Sequence, residues 1–189
     1  MHIESYPEAA VPAVLRRQVH TLQNEAWPTA PPSSADTLVH DPNLRPLSML
    51  LIDNDTVVAA LDILHKTLDQ AGNTFRAGGL STVVTRKDFR GQGYGLRLVT
   101  AARAAMTDLD VALFTCDRPL QPFYERAGFQ VLPGTALIGG TPDDPFPSDQ
   151  PGFDKVTLAA FFTPAAQQAV ATFHNARIAL YPGRIDKLW

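Results

Sequence analysis

Val83-Val84-Thr85-Arg86-Lys87-Asp88-Phe89-Arg90-Gly91-Gln92-Gly93-Tyr94-Gly95-Leu96 is the stretch on which the reading of this chain turns. A β-branched run feeds a turn with glycine at Gly91, Gly93 and Gly95. The turn opens into residues 93–106, where Leu98, Val99, Ala102 and Met106 recur on one helical face. Glycines let the backbone come close to a ligand, and the first turn of a helix carries unpaired amides and the positive end of the dipole. Such a strand, turn and helix cradles a phosphate or pyrophosphate, with Arg90 adding charge. Two familiar phosphate loops do not fit. There is no Gly-Lys-Ser/Thr ending. A dinucleotide fingerprint counted from Gly91 requires glycine where Leu96 stands.

Working outward, residues 48–52 and 56–68 flank the turn signal Asp53-Asn54-Asp55, and Ala71-Gly72-Asn73 leads into a third run, 74–86. The spacing predicts an antiparallel meander. Ahead of it lie a short strand, 2–6, and a helix to about residue 26 with Val11, Val14, Leu15, Val19 and Leu22 in register and Pro12 in its first turn. Residues 27–46 hold five prolines, which remove donors and fix φ, so this segment reads as a long loop. Downstream come a buried strand, 111–115, and a short helix, 120–126, closed by Gly128. Strands at 130–138 and 155–162 and a last helix, 163–176, complete the expected order. The loop 139–152 between those strands has four prolines and the acids Asp143, Asp144 and Asp149. The fold class expected is α/β (α+β), a mixed, mostly antiparallel central sheet flanked by helices.

Composition bounds the function. A chain of 189 residues, 45 % apolar and 19 % charged, is one domain with a real core. A net charge of −3 offers no basic excess for a nucleic-acid partner. The longest apolar runs, 49–52 and 156–162, are strand-sized, and residues 1–4 lack a signal-peptide pattern, so neither a membrane partner nor export is expected and a cytoplasmic location is. The single cysteine, Cys116, excludes an internal disulfide and a multi-cysteine zinc site, and no metal is expected.

Arg90-Gly91-Gln92-Gly93-Tyr94-Gly95 matches an Arg/Gln-x-x-Gly-x-Gly/Ala motif, and about thirty residues on stands Phe123-Tyr124-Glu125-Arg126-Ala127-Gly128-Phe129. In this order the two segments resemble the GNAT superfamily of acyl-CoA N-acyltransferases. The resemblance implies a core fold with an acyl-CoA site over residues 1–138, while 139–189 shape the acceptor side. It implies acetyl-CoA as co-substrate, attacked directly by the primary amine of a small-molecule or peptidyl substrate. Val83, Val84, Thr85, Arg90, Gly91, Gln92, Gly93, Tyr94, Gly95 and Leu96 are the expected cofactor-binding residues, with a backbone N–H near 83–85 polarising the thioester. Tyr124 is the expected general acid, since a phenol suits a thiolate leaving group.

A weaker resemblance joins Thr141-Pro142-Asp143-Asp144 and the closing Gly183-Arg184-Ile185-Asp186-Lys187-Leu188-Trp189 to aminoglycoside 2′-N-acetyltransferases. It implies a cationic acceptor met by Asp144, Asp186 and the carboxylate of Trp189; separately, Trp27 in the long loop is a candidate to stack on or roof an acceptor. Where that group has a glutamate on its fourth strand, this chain has Ser81 beside Thr82, neither a base. A second class therefore stays open, a CoA-binding regulatory protein without chemistry. His40 and His65 are candidate proton shuttles, though lone histidines are more often structural. Cys116 reads as a buried structural thiol. Monomer and homodimer are both compatible with the sequence.

Overall fold

The structure, a computed structural model, describes residues 1–28 and 37–189; the remainder of the proline-rich loop expected at 27–46 lies outside the described residues. The elements are β1 (His2–Pro7), α1 (Ala13–Ala26), β2 (Leu47–Asp53), β3 (Thr56–Gln70), β4 (Asn73–Thr85), α2 (Tyr94–Ala105), β5 (Val111–Asp117), α3 (Gln121–Arg126), β6 (Gln130–Val131), β7 (Ala136–Gly140), β8 (Pro145–Pro147), β9 (Lys155–Phe161), α4 (Pro164–Gln168) and β10 (Arg177–Ala179). Seven strands form the main sheet in the order β1-β2-β3-β4-β5-β9-β6, and β10-β7-β8 form a second. In the main sheet every pair is antiparallel except β4 with β5. This is the mixed, mostly antiparallel sheet expected.

Local chemistry explains the meander. The β2–β3 turn places Asn54 and Asp55 at φ 45° and 65°, and these two residue types tolerate the left-handed region that a tight hairpin requires. The first half of β3 is buried on both faces because helices cover both sides of the sheet. On one side Leu98, Val99, Ala102 and Met106 of α2 join the larger core. On the other, Leu22 of α1 and Val11 pack with Leu50, Ile52, Val57, Ala60 and Val84.

Three expectations about elements are corrected. The run expected as one strand over 130–138 is two, β6 in the main sheet and β7 in the second. Between them Pro133 cannot donate to a ladder and Gly134, at φ 67°, turns the chain. The helix expected to reach 176 ends as α4 and continues only as a 3-10 turn, Val170–Phe173. Thr163 caps its start, accepting from the Ala166 N–H, but Phe173 is drawn into the core against Phe75 and Phe161, and Asn175 at φ 51° reverses the chain. β8 and β10 arise where no strand is expected. Both are three-residue additions to the edges of β7, where proline and short strands are tolerated.

Two features of the main sheet make the site. Register between β4 and β5 covers only Ala77 with Val111 and Gly78 with Ala112. Beyond Gly78 the two strands part, while β5 keeps its partner β9 throughout. In addition β4 carries a bulge, because Asp62 faces Ser81 and Ala60 faces Val84, leaving Thr82 and Val83 opposite a single residue of β3.

Candidate active site

The turn at 90–93 and the start of α2 form one wall of a cavity of about 700 Å³. Gly91 and Gly93 have φ 75° and 83°, and a Cβ on either would meet nothing within 4 Å, so both face open space. Gly95 serves another end: a Cβ there would lie 2.7 Å from Thr85 Oγ1, and its absence lets the helix start against the end of β4. No side chain among the described residues caps α2 and its first turn holds no acid. Its orphan amides are therefore available to an anion. Arg90 donates from Nε to the Thr85 carbonyl at 3.0 Å. Of the expected cofactor residues, Val83, Val84, Thr85, Arg90, Gly91, Gly93, Tyr94, Gly95 and Leu96 line this cavity. Gln92 stands off its wall, donating to the Asp88 carbonyl at 3.1 Å. Open amides, space before the glycines and an arginine fit the pyrophosphate end of an acyl-CoA.

A second cavity, about 570 Å³, opens between the parted strands. Trp27, Val83, Leu120 and Tyr124 line both, so the two spaces meet at the β4 bulge and at α3. Trp189 seals the inner end of the second. Its indole Nε1 donates to the Leu113 carbonyl at 2.8 Å, and an oxygen of its carboxylate accepts from the Thr115 N–H at 3.2 Å. A Cβ on Gly79 would lie 2.5 Å from that indole. Trp189 thus supplies β5 with hydrogen bonds where β4 has turned away.

Residues 48–131, from β2 through β6, match the acetyltransferase (GNAT) domain model. That segment is similar to a GNAT acetyltransferase domain. No curated protein matches it in sequence. Among solved structures it is similar to an aminoglycoside 6′-N-acetyltransferase complexed with coenzyme A, with a TM-score of 0.61 at 15 % identity over 87 % of this chain and 98 % of that one. An aminoglycoside 6′-acetyltransferase type Ii gives 0.59 at 18 %, covering 87 % and 99 %. An acyl-CoA N-acyltransferase from Pseudomonas aeruginosa gives 0.53 at 16 %, covering 84 % and 97 %. At these identities the likeness is one of fold. Together with the domain match, it supports an enzyme of the N-acetyltransferase class.

Tyr124 stands at the junction of the two cavities, only 6 % exposed, its ring edge-on to Phe114 and Phe123. Burial, with Cys116 and Asp117 nearby, holds its phenol far above the usual tyrosine range, so the hydroxyl keeps its proton at neutral pH. Burial likewise pushes the Cys116 thiol up to about 11, so it is not a thiolate at neutral pH.

The acceptor-side residues are placed differently from one another. Trp27 is half exposed at the shared rim. Asp186 lines the second cavity, but both its oxygens are engaged: Oδ1 with His40 Nδ1 at 2.6 Å and Oδ2 with the Asp41 N–H at 2.9 Å. Asp144 is exposed and lies in a separate depression of about 330 Å³ beside Arg184 and Lys187. His65 bonds the Arg45 carbonyl and lines neither cavity of the site.

Sequence reasoning missed Asp62. It lies within the apolar run of β3, 4 % exposed, and takes hydrogen bonds from Ser48 Oγ and Thr82 Oγ1, each at 2.5 Å. A lone carboxylate in a strand buried on both faces was the available signal. His40 Nε2 lies 3.2 Å from Asp62 Oδ2, an ionic contact off the hydrogen-bonding line. Burial opposes a charge on His40, but the carboxylates of Asp186 and Asp62 outweigh it and raise its pKa from 6.5 to about 10. A pKa raised on folding contributes stability fully below pH 6.5 that is lost as pH rises through about 10. The melting temperature is expected to fall over this window more steeply than that of His40→Gln; parallel profiles would show a neutral His40.

Proposed function

We propose that this GNAT domain transfers an acetyl group from acetyl-CoA to a primary amine of a small cationic molecule by direct attack. The observation that carries the reading is the meeting of the two cavities at Val83, Leu120 and Tyr124. One cavity has the anion-binding turn and the other has room for an acceptor.

In this reading the α2 amides and Arg90 hold the pyrophosphate of the co-substrate. The bulged backbone at Thr82 and Val83, opposite a single residue of β3 and past the last register pair with β5, presents N–H groups to the thioester oxygen. The amine nitrogen bonds to the carbonyl carbon as the carbon–sulfur bond breaks. Tyr124 gives its proton to the departing sulfur and recovers one through solvent from the new amide nitrogen. Trp27, Phe146 and Phe153 face the acceptor cavity and offer ring faces to a cation. Lys155 and Lys187 already lie over Phe153 and Phe146, at 5.8 and 5.5 Å. That aromatic lining, together with the aminoglycoside enzymes among the similar folds, supports a cationic amine such as a polyamine or an aminoglycoside.

Release of free CoA from acetyl-CoA in the presence of spermidine, benzylamine or an aminoglycoside tests the proposal. Turnover with any of them is expected. Acetyl-CoA binding with no turnover across a broad amine panel would instead favour a CoA-binding protein without chemistry. Tyr124→Phe is expected to lower kcat about 100-fold while leaving acetyl-CoA affinity unchanged, because only the departing thiolate needs the proton. Stopped turnover assays and calorimetry separate the two quantities.

A further inference from the structure

Thr82 is the one β-branched residue with positive φ among the described residues, at 49°. Branching at Cβ makes this conformation unfavourable, so its surroundings must impose it. It stands in the β4 bulge, beside Val83, where the two cavities meet.

A series of buried contacts holds it. Thr82 Oγ1 donates to Asp62 Oδ2 across the sheet at 2.5 Å. Asp62 is steadied by Ser48 Oγ from β2 and by the ionic contact with His40. His40 is bound to Asp186, and Asp186 to the Asp41 backbone. Segments distant in sequence, at 40–41, 48, 62 and 186, thus converge on one backbone conformation. Buried ionised groups are costly unless paired, and their fixed geometry is what such a set contributes. None of Asp62, His40 or Asp186 lines the acyl-CoA cavity.

We infer that Asp62, His40 and Asp186 are positioning residues: they hold Thr82 in the left-handed region and so aim the bulged backbone at the thioester carbonyl. The inference rests on the acetyl-transfer reading above. It separates the role of the Thr82 hydroxyl as an anchor from any role in proton transfer. Glycine adopts this φ freely and needs no anchor, whereas valine keeps the branching and loses the hydroxyl.

The test uses acetyl-CoA labelled with carbon-13 at the carbonyl, bound to wild type, Thr82→Val, Thr82→Gly, Asp62→Ala and Asp62→Ala/Thr82→Gly. A carbonyl polarised by the bulge resonates downfield of free acetyl-CoA. The downfield shift is expected in wild type and Thr82→Gly, lost in Thr82→Val and Asp62→Ala, and regained in the double variant. Affinity by calorimetry should stay within about threefold throughout, because these side chains lie off the pyrophosphate site. A shift kept in Thr82→Val, lost in Thr82→Gly, absent from wild type or not regained in the double variant overturns the inference. Should Asp62→Ala fail to bind, the Thr82→Val and Thr82→Gly pair decides alone. Failure of wild type to bind acetyl-CoA overturns the reading of the site itself, a result distinct from all of these.

Discussion

Arg90→Glu combined with Gly93→Asp is expected to weaken acetyl-CoA binding by at least about 100-fold, as read by calorimetry. Three effects add. Gly93, the residue preceding α2, has φ 83°, where a side chain is strained. A carboxylate there meets the pyrophosphate at the helix end that otherwise attracts it. Glutamate at 90 replaces a cation on the same wall with an anion. The fold should survive, since the space before Gly93 is open and Arg90 is exposed. An unchanged melting temperature with binding retained would place the cofactor elsewhere.

Gly139→Ala should give the largest loss of stability for a single methyl group. A Cβ on Gly139 would lie 1.8 Å from the Lys187 carbonyl oxygen and 3.1 Å from that of Phe146, both backbone. Neither yields by a rotamer change, so residues 183–189 must move. The Gly140 N–H bond to the Lys187 carbonyl goes first, and with it the seating of Asp186 against His40 and of Trp189 against Leu113. Roughly 3–5 kcal/mol of stability is expected to be lost, in the range of severe overpacking together with a broken buried pair. Acceptor KM should rise, while acetyl-CoA affinity stays within about threefold, because the moved segment lines the second cavity and none of it lines the acyl-CoA cavity. Gly152→Ala is the control: φ is 88° but nothing lies within 4 Å of the added methyl, so it should cost about 1 kcal/mol of backbone strain alone. Equal denaturation midpoints for the two variants would refute the packing described.

The cofactor side was legible because its signal is local. Strand, glycine turn and helix N-terminus are adjacent in sequence, and the residues that form that wall are nearly all neighbours of Gly93. The meander was legible for the same reason, through turn residues such as Asn54 and Asp55. The acceptor side was not. Asp186 reads as a loop acid available to a cation, yet its charge is matched by His40, 146 residues earlier. Asp144 reads as its partner in the same site and lies in another depression. Asp62 drew no notice inside an apolar strand, and nothing near it in sequence announces Ser48, Thr82 and His40 as its partners.

The class of sheet, the order of the meander and the anion-binding turn are written locally in the chain, because each depends on φ preferences and hydrophobic period within a dozen residues. The parting of β4 and β5 after Gly78, the seating of Trp189 in the gap, and the buried contacts that join Asp186, His40 and Asp62 to Thr82 in the bulge arise in the folded chain alone. Those features depend on which distant groups find one another once water is excluded, when every buried donor, acceptor and charge must be matched by whatever the fold brings alongside.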